Sequence, residues 1–124
     1  MLAADLFHEA ITPESVLTVL RGCVGEAHGL TARELVLRIS GRFSAADERH
    51  LREVVVALRN AGHPVCGHPS TGYHLAGTAA ELDRTCEFLF GRSMTSLKQV
   101  SAMKRVTLPD LRGQLGLPLK KETS

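Results

Sequence analysis

Aromatic residues and cysteines are both scarce in this chain of 124 residues. It contains no Trp, one Tyr and four Phe, so we expect a core built mainly from Leu, Val and Ala. The three cysteines, Cys23, Cys66 and Cys86, are odd in number and widely spaced, and no CxxC pair occurs. This spacing argues against a disulfide framework and predicts reduced thiols.

Long apolar runs are also missing. No run approaches the roughly 20 residues that a membrane-spanning helix requires. The N-terminal stretch MLAADLFHEAITPESV has neither the basic region nor the long apolar segment of a signal peptide. These absences predict a cytoplasmic protein that makes no contact with a membrane. With 44% apolar and 23% charged residues, the composition is typical of one globular domain with an appended element.

The usual motifs of catalysis and metal binding are absent as well. The sequence has no Walker A motif, no HExxH and no Gly-rich dinucleotide loop. The segment GHPSTG is not the G-x-S-x-G turn of a serine nucleophile. One cluster has residue types that suit zinc, but its spacing H-x2-C-x-H-x5-H matches no familiar zinc module. Its members are His63, Cys66, His68 and His74. We therefore expect neither an enzyme nor a cofactor.

The charge is nearly balanced over the whole chain but unevenly distributed along it. The formal net charge is +2. Residues 1–30 hold one Arg against four acids, residues 31–61 hold six Arg against four acids, and residues 91–124 hold seven basic residues against two acids. The basic C-terminal third is either suited to phosphate or an acidic partner, or it is a solubilising tail.

Three helices are predicted before residue 62. Each begins at an N-cap residue: Thr12 is followed by a proline, Thr31 begins the capping box TARE, and Ser44 starts a helix that runs to about residue 61. Apolar residues at helical spacing give each helix one inward face. These residues are Val16, Leu17 and Leu20, then Leu35, Val36 and Ile39, then Leu51, Val54, Val55 and Leu58.

A β-hairpin and a further helix are predicted next. The runs HPVC and YHLA flank the turn-forming segment GHPSTG, and Tyr73 and Leu75 are expected to face inward. A second capping box, TAAE at residues 78–81, begins a helix that either continues to about residue 105 or breaks at residues 91–93. Its expected inward side chains are Leu82, Cys86, Leu89 and Phe90. A last short helix is predicted around residues 108–115.

This order of elements resembles the winged helix-turn-helix family over residues 12–77. The segment GHPVCGHPSTGYHLA is similar to the end of the recognition helix and the wing in the biotin-ligase repressors, and GLTARELVLRI resembles the first helix of the helix-turn-helix unit. Phage and prophage helix-turn-helix proteins are similar too. The resemblance implies a mainly α fold with a small β-hairpin, that is, α+β. It also implies a winged domain at residues 1–77 and a helical extension with a basic tail at residues 78–124.

The resemblance further implies that the helix at residues 45–61 lies in the major groove of double-stranded DNA. Arg49 and Arg52 would then suit guanine edges, and His50 a base or a phosphate. Backbone contacts would come from Arg42 and Ser44 beside the helix N-terminus. In the hairpin, the residues expected to contact DNA are His68, Ser70 and Thr71.

Charge opposes a strong DNA contact at this helix. Residues 44–61 contain three Arg and three acids, and the hairpin contains no Lys or Arg. Because phosphate contacts dominate affinity for DNA, a neutral helix predicts weak binding unless other parts of the molecule contribute. The alternative interpretation is that Arg49 and Arg52 belong to an ordinary solvated helix face.

An apolar series continues along the predicted C-terminal helix at spacings of 4, 3, 3 and 3. It consists of Phe90, Met94, Leu97, Val100 and Met103. We interpret it as a homodimer interface, the alternative being a helix folded back onto residues 1–30. The sequence therefore predicts a dimeric DNA-binding regulator of the phage or prophage type. The rival hypotheses are a winged-helix adaptor in a replication or packaging assembly and a ligand-sensing regulator, for which little chain remains.

Overall fold

The computed structural model describes residues 8–118 of the chain. Its helices are α1 (Pro13–Leu20), α2 (Ala32–Ser40), α3 (Ala45–Asn60), α4 (Ala79–Lys104) and α5 (Leu111–Gln114), and its strands are β1 (Val65–His68) and β2 (Gly72–Leu75). The fold is mainly helical with a small antiparallel hairpin, which is consistent with the expected winged-helix-like α+β arrangement. The described residues divide into two units, one ending at Leu82 and the other beginning at Asp83.

The three predicted N-caps are confirmed. The hydroxyl of Thr12 accepts a hydrogen bond from the Ser15 amide at 3.0 Å, and Ser44 does the same for the Asp47 amide at 3.0 Å. Thr31 and Glu34 form the reciprocal pair of a capping box, because the Glu34 carboxylate accepts from the Thr31 amide at 2.9 Å. These bonds satisfy amides that the first turn of a helix leaves without a partner.

One apolar cluster in the described part of the chain joins α1, α2 and α3 to the hairpin. It contains Ile11, Val16, Leu20, Cys23, Leu35, Val36, Ile39, Leu51, Val54, Val55, Leu58 and Val65. The inward faces predicted for the three helices are thereby confirmed, except that Leu17 is half-buried at the margin of the cluster. Ahead of α1, the Glu9 amide donates to the Ile39 carbonyl at 2.8 Å, which holds residues 8–11 against the end of α2.

The two strands of the hairpin extend further towards the turn than the sequence predicted, so the turn itself is shorter. Gly67, His68 and Gly72 belong to the strands, and only residues 69–71 form the turn. Val65 pairs with Leu75, and Cys66 pairs with His74. Tyr73 and Leu75 pack against the cluster as expected, but the opposite face is buried too, with His74 only 3% exposed.

The first turn of α4 covers that second face of the hairpin. The Cys66 thiol lies 3.6 Å from the Glu81 carbonyl oxygen, and His74 Nδ1 lies 3.9 Å from a Glu81 carboxylate oxygen. Thr78 caps the Glu81 amide at 3.2 Å as predicted. The Glu81 carboxylate, however, accepts from the amides of Gly77 at 2.8 Å and Glu26 at 3.2 Å. A residue predicted to make a local cap therefore joins α4 to the loop that follows α1.

The loop between α1 and α2 completes the outer edge of β2. Leu30 and Tyr73 exchange two backbone hydrogen bonds, of 2.9 and 2.7 Å. The Leu75 amide donates to the Cys23 carbonyl at 2.9 Å. This close approach requires glycine at Gly72, which has a φ of +71° and where a Cβ would lie 2.5 Å from the Leu30 carbonyl oxygen. The edge of the hairpin is thus closed by a segment that precedes α2.

The helix α4 runs without a break from Ala79 to Lys104, so the structure has the continuous helix and not the alternative with a break at residues 91–93. The prediction of which α4 side chains point inward is wrong for Leu82 and Leu89, which are exposed. Cys86 and Phe90 are half-buried, and the buried residue of this helix is Thr85. None of the helices in residues 8–118 has both the length and the hydropathy needed to cross a bilayer.

Candidate nucleic-acid interface

The turn between α2 and α3 presents α3 to solvent on one side. Gly41 ends α2 in the left-handed region, with a φ of +81° and a bond from its amide to the Leu37 carbonyl at 2.9 Å. The Ser40 hydroxyl donates to the Arg42 carbonyl at 2.8 Å, which orders the turn further. Because α3 packs its apolar face on α1 and α2, the opposite face is left exposed.

The exposed face of α3, called here the outward face, consists of four residues at spacings of 4, 3 and 4. They are Arg49, Glu53, Val56 and Asn60. Such spacing places side chains above one another on the same side of a helix. Val56 is 53% exposed, which is unusual for a valine in a helix that also contributes to the core. His50 and Arg52 lie on either side of this face.

Two of the predicted DNA-contacting residues in α3 lie beside acidic side chains of the same helix. Arg52 lies 2.9 Å from Glu48, and His50 Nδ1 lies 3.5 Å from Glu53. No acidic side chain among the described residues lies within ion-pair distance of Arg49. Exposed pairs of this kind contribute only about 0–1 kcal/mol, so a phosphate or a base can replace the acidic partner at little cost.

The N-terminus of α3 combines features that favour and oppose an anion. The Ser44 hydroxyl is engaged as the helix cap, and Asp47 and Glu48 place negative charge in the first turn. Arg42 is exposed in the preceding turn. The Arg33 guanidinium stacks 4.6 Å from the centroid of the Phe43 ring beside it. The sequence pattern did not single out Arg33 as a residue of the DNA interface, because Arg33 lies inside the capping box TARE, which indicates only the start of a helix.

The hairpin turn holds its predicted contact residues in a small hydrogen-bonded group. His68 Nδ1 lies 2.8 Å from the Ser70 hydroxyl and accepts from the Ser70 amide at 3.1 Å. Thr71 is half-buried, while His68 and Ser70 are exposed. His68 and Ser70 are thus close enough to contact one phosphate together, but these residues supply no arginine or lysine charge.

The His and Cys residues of the hairpin do not converge on one point. Cys66 and His74 are opposite each other in the strand register, whereas His68 lies at the turn. Within the described residues, no group of three His, Cys, Asp or Glu side chains is arranged to hold a metal ion. The paired Cys66 and His74 instead fill the space beneath Glu81.

The continuous helix α4 separates the predicted dimer residues into two sets. Met94 and Met103 are nine residues apart, which is about two and a half turns, so their side chains point to opposite sides. Phe90, Met94 and Leu97 share one side and are half-buried. Val100 is exposed, and Met103 is 77% exposed. Spacings of three residues drift around a helix, so the five residues do not form one straight stripe.

The chain after α4 covers part of the half-buried set formed by Phe90, Met94 and Leu97. Arg112 forms an ion pair with Glu87, including a contact of 3.0 Å, and stacks 4.8 Å from the centroid of the Phe90 ring. The hydrogen bond to Glu87 raises the pKa of the Arg112 guanidinium. A groove of about 490 Å³ lies between Phe90–Lys98 of α4 and Pro109–Arg112. The more exposed side of α4, with Val100 and Met103, is therefore the better candidate for a partner.

Comparison with known proteins assigns no role to these surfaces. The chain matches no protein-family model, no curated protein and no solved structure among those with which it was compared. Its function has to be inferred from the residues of α2, α3, the hairpin and α4 themselves.

Proposed function

We propose that this chain is a double-stranded DNA-binding protein that inserts α3 into the major groove. One observation carries the proposal: α3 buries one face against α1 and α2 and presents Arg49, without an acidic partner among the described residues, on the other. A B-DNA major groove is wide enough to admit an α-helix. The role that fits is that of a cytoplasmic transcriptional regulator of the phage or prophage type, with no catalytic activity.

The distribution of charge supports moderate binding to DNA. The helix-turn-helix segment 32–60 contains six Arg and four acids, although α3 itself is neutral. Arg42 lies in the turn between α2 and α3, and the Arg33 guanidinium stacks on Phe43 of the same turn, so both would suit the phosphate backbone. His68, Ser70 and Thr71 add polar contacts without charge. We therefore expect moderate, salt-dependent binding to random sequences.

A homodimer would double these contacts. We propose that two copies associate through the exposed side of α4, with Val100 and Met103 at its centre. These two side chains are three residues apart and lie within about a sixth of a turn of each other around the helix. A dimer of this kind carries two copies of α3 and favours a palindromic site.

The test is fluorescence anisotropy of a labelled random-sequence duplex, titrated with the full chain over a series of salt concentrations. We expect log K to fall linearly with log salt, and the double variant Arg42→Ala/Arg49→Ala to lose affinity and reduce the slope by about one for each phosphate contact removed. The matched control is Arg21→Ala, an exposed arginine at the end of α1. Equal losses of affinity in the double variant and in Arg21→Ala, or no binding of the duplex at low salt, would refute the proposal.

A protein-interaction adaptor is the second candidate, and the exposed Val56 favours it. An apolar side chain at the centre of a neutral helix face is as well suited to a protein surface as to a thymine methyl group. If no duplex binds at low salt, the same face becomes the surface to test against protein partners, with Val56→Asp as the disrupting variant.

A further inference from the structure

We infer that α3 recognises a G·C-rich core in the major groove through Arg49 and Glu53. The inference rests on the DNA-binding function proposed above and names the sequence class that this site would take. Both side chains are exposed on the outward face, four residues apart and therefore on the same side of the helix. Their chemistry, taken together, selects among the four base pairs.

Arg49 has the donors that guanine requires. Its planar guanidinium forms two parallel hydrogen bonds with O6 and N7 of guanine, the commonest specific contact in the major groove. No acid of the described chain lies within ion-pair distance of it, so its donors are not committed to an ion pair. Arg52 is held 2.9 Å from Glu48 and lies at the flank, a position better suited to the phosphate backbone.

Glu53 restricts the choice further because a carboxylate can only accept. Phosphates repel it, so its presence in the groove is favourable only where a base edge donates a hydrogen bond. Cytosine offers its N4 amino group, whereas adenine places the N7 acceptor next to its amino group. Cytosine is therefore the preferred partner. His50, 3.5 Å from the Glu53 carboxylate, lies on the same helix where it can hold that carboxylate in place.

The spacing of the two residues sets the spacing of the bases. Four residues advance about 6 Å along an α-helix, and successive base pairs are about 3.4 Å apart. Arg49 and Glu53 are thus placed to contact a guanine and a cytosine within about two base-pair steps of each other. Glu53 is one of the three acids that make α3 neutral, and a carboxylate on the outward face weakens binding to all sequences except those that satisfy it.

The experiment is selection of duplexes from a randomised library by the full chain at low salt, followed by affinity measurements on the enriched sequence. We expect a guanine and a cytosine within two steps to be enriched. Glu53→Gln should shift the cytosine position towards adenine, because a glutamine amide pairs with N6 and N7 of adenine, and change the relative affinity about tenfold. The matched control is Glu14→Gln, which removes an exposed carboxylate from the first turn of α1.

A modified base tests the arginine contact. Replacing the enriched guanine by 7-deazaguanine removes the N7 acceptor and should weaken binding of the native chain about tenfold, while Arg49→Ala should bind the two duplexes equally. Enrichment without guanine and cytosine, or an unchanged preference in Glu53→Gln, would overturn the inference and leave DNA binding intact. Failure to retain any duplex would overturn the proposed function itself.

Discussion

At the scale of single residues, the stability of the molecule depends on a few backbone positions and caps. Thr31 and Glu34 close the first turn of α2 with two reciprocal hydrogen bonds. Gly72 permits the approach of Leu30 to the hairpin. Neither contact involves the apolar cluster, but each fixes the conformation of a segment that the cluster requires.

Substitution of Gly72 by alanine should destabilise the fold by about 1–3 kcal/mol, because an L-residue is strained at positive φ and its Cβ would collide with the Leu30 carbonyl. The control is Gly62→Ala, where φ is +96° and no heavy atom lies within 4 Å of the added Cβ. Denaturant unfolding of both variants separates backbone strain from collision. Equal losses of unfolding free energy would show that the Leu30 contact contributes nothing.

The capping box of α2 predicts a pH dependence. The hydrogen bonds from Thr31, first that of its amide, lower the pKa of Glu34 in the folded chain. A carboxylate with a lowered folded pKa stabilises the protein above its unfolded pKa of about 4.3, and that stability is lost as the pH falls through the folded pKa.

The native chain should therefore melt at a higher temperature than Glu34→Gln at pH 7, and the difference should shrink as the pH falls below about 4. Thermal unfolding at several pH values measures this difference. Glu14→Gln, in the first turn of α1, serves as the matched comparison. A constant difference between native and Glu34→Gln from pH 7 to acidic pH would contradict the assignment.

At the scale of elements, the first turn of α4 has two functions. It begins a long helix, and it also covers the second face of the hairpin through Glu81. The same carboxylate binds the amides of Gly77 and Glu26, so one side chain connects the hairpin, α4 and the loop after α1. Local sequence predicted only the first function.

Removing this carboxylate with Glu81→Ala should release both amides, which are exposed and can bind water instead, and lower stability by about 1 kcal/mol for each hydrogen bond lost. We expect hydrogen exchange to become faster at Gly77 and Glu26 and to stay unchanged at Thr31. Glu81→Gln keeps an acceptor at the same position and should be affected less. Unchanged exchange at Gly77 and Glu26 in the alanine variant would exclude the proposed connection.

At the scale of the whole molecule, the proposed association of two chains would decide how tightly the proposed interface binds DNA. On the proposed function, a single neutral α3 would make few phosphate contacts, and two copies on adjacent half-sites would combine their affinities. The exposed Val100 and Met103 provide apolar surface for such association.

The variant Val100→Glu/Met103→Glu should shift a dimer to monomer, because it places two negative charges in the contact. Sedimentation at micromolar concentration measures the mass directly. The control is Ala102→Glu, an exposed position on another side of α4. A native chain that sediments as a monomer, or a dimer that resists the double variant, would refute this interface.

The sequence by itself determined where the first three helices begin and which faces they bury. N-caps such as Thr12, Thr31 and Ser44 act within three residues, and the inward faces follow from the helical period, so both are visible in a linear pattern. For the same reason the exposure of Arg49 and Arg52 follows from the linear pattern, since neither belongs to the apolar series Leu51, Val54, Val55 and Leu58.

Only the tertiary structure decided the features that depend on distant residues. The burial of His74 required α4 to cover the second face of the hairpin, and Leu30 joined β2 from across 43 residues of chain. The continuity of α4 placed Met94 and Met103 on opposite sides. Contacts of this kind are selected by packing in three dimensions, and local propensity does not encode which distant segments meet.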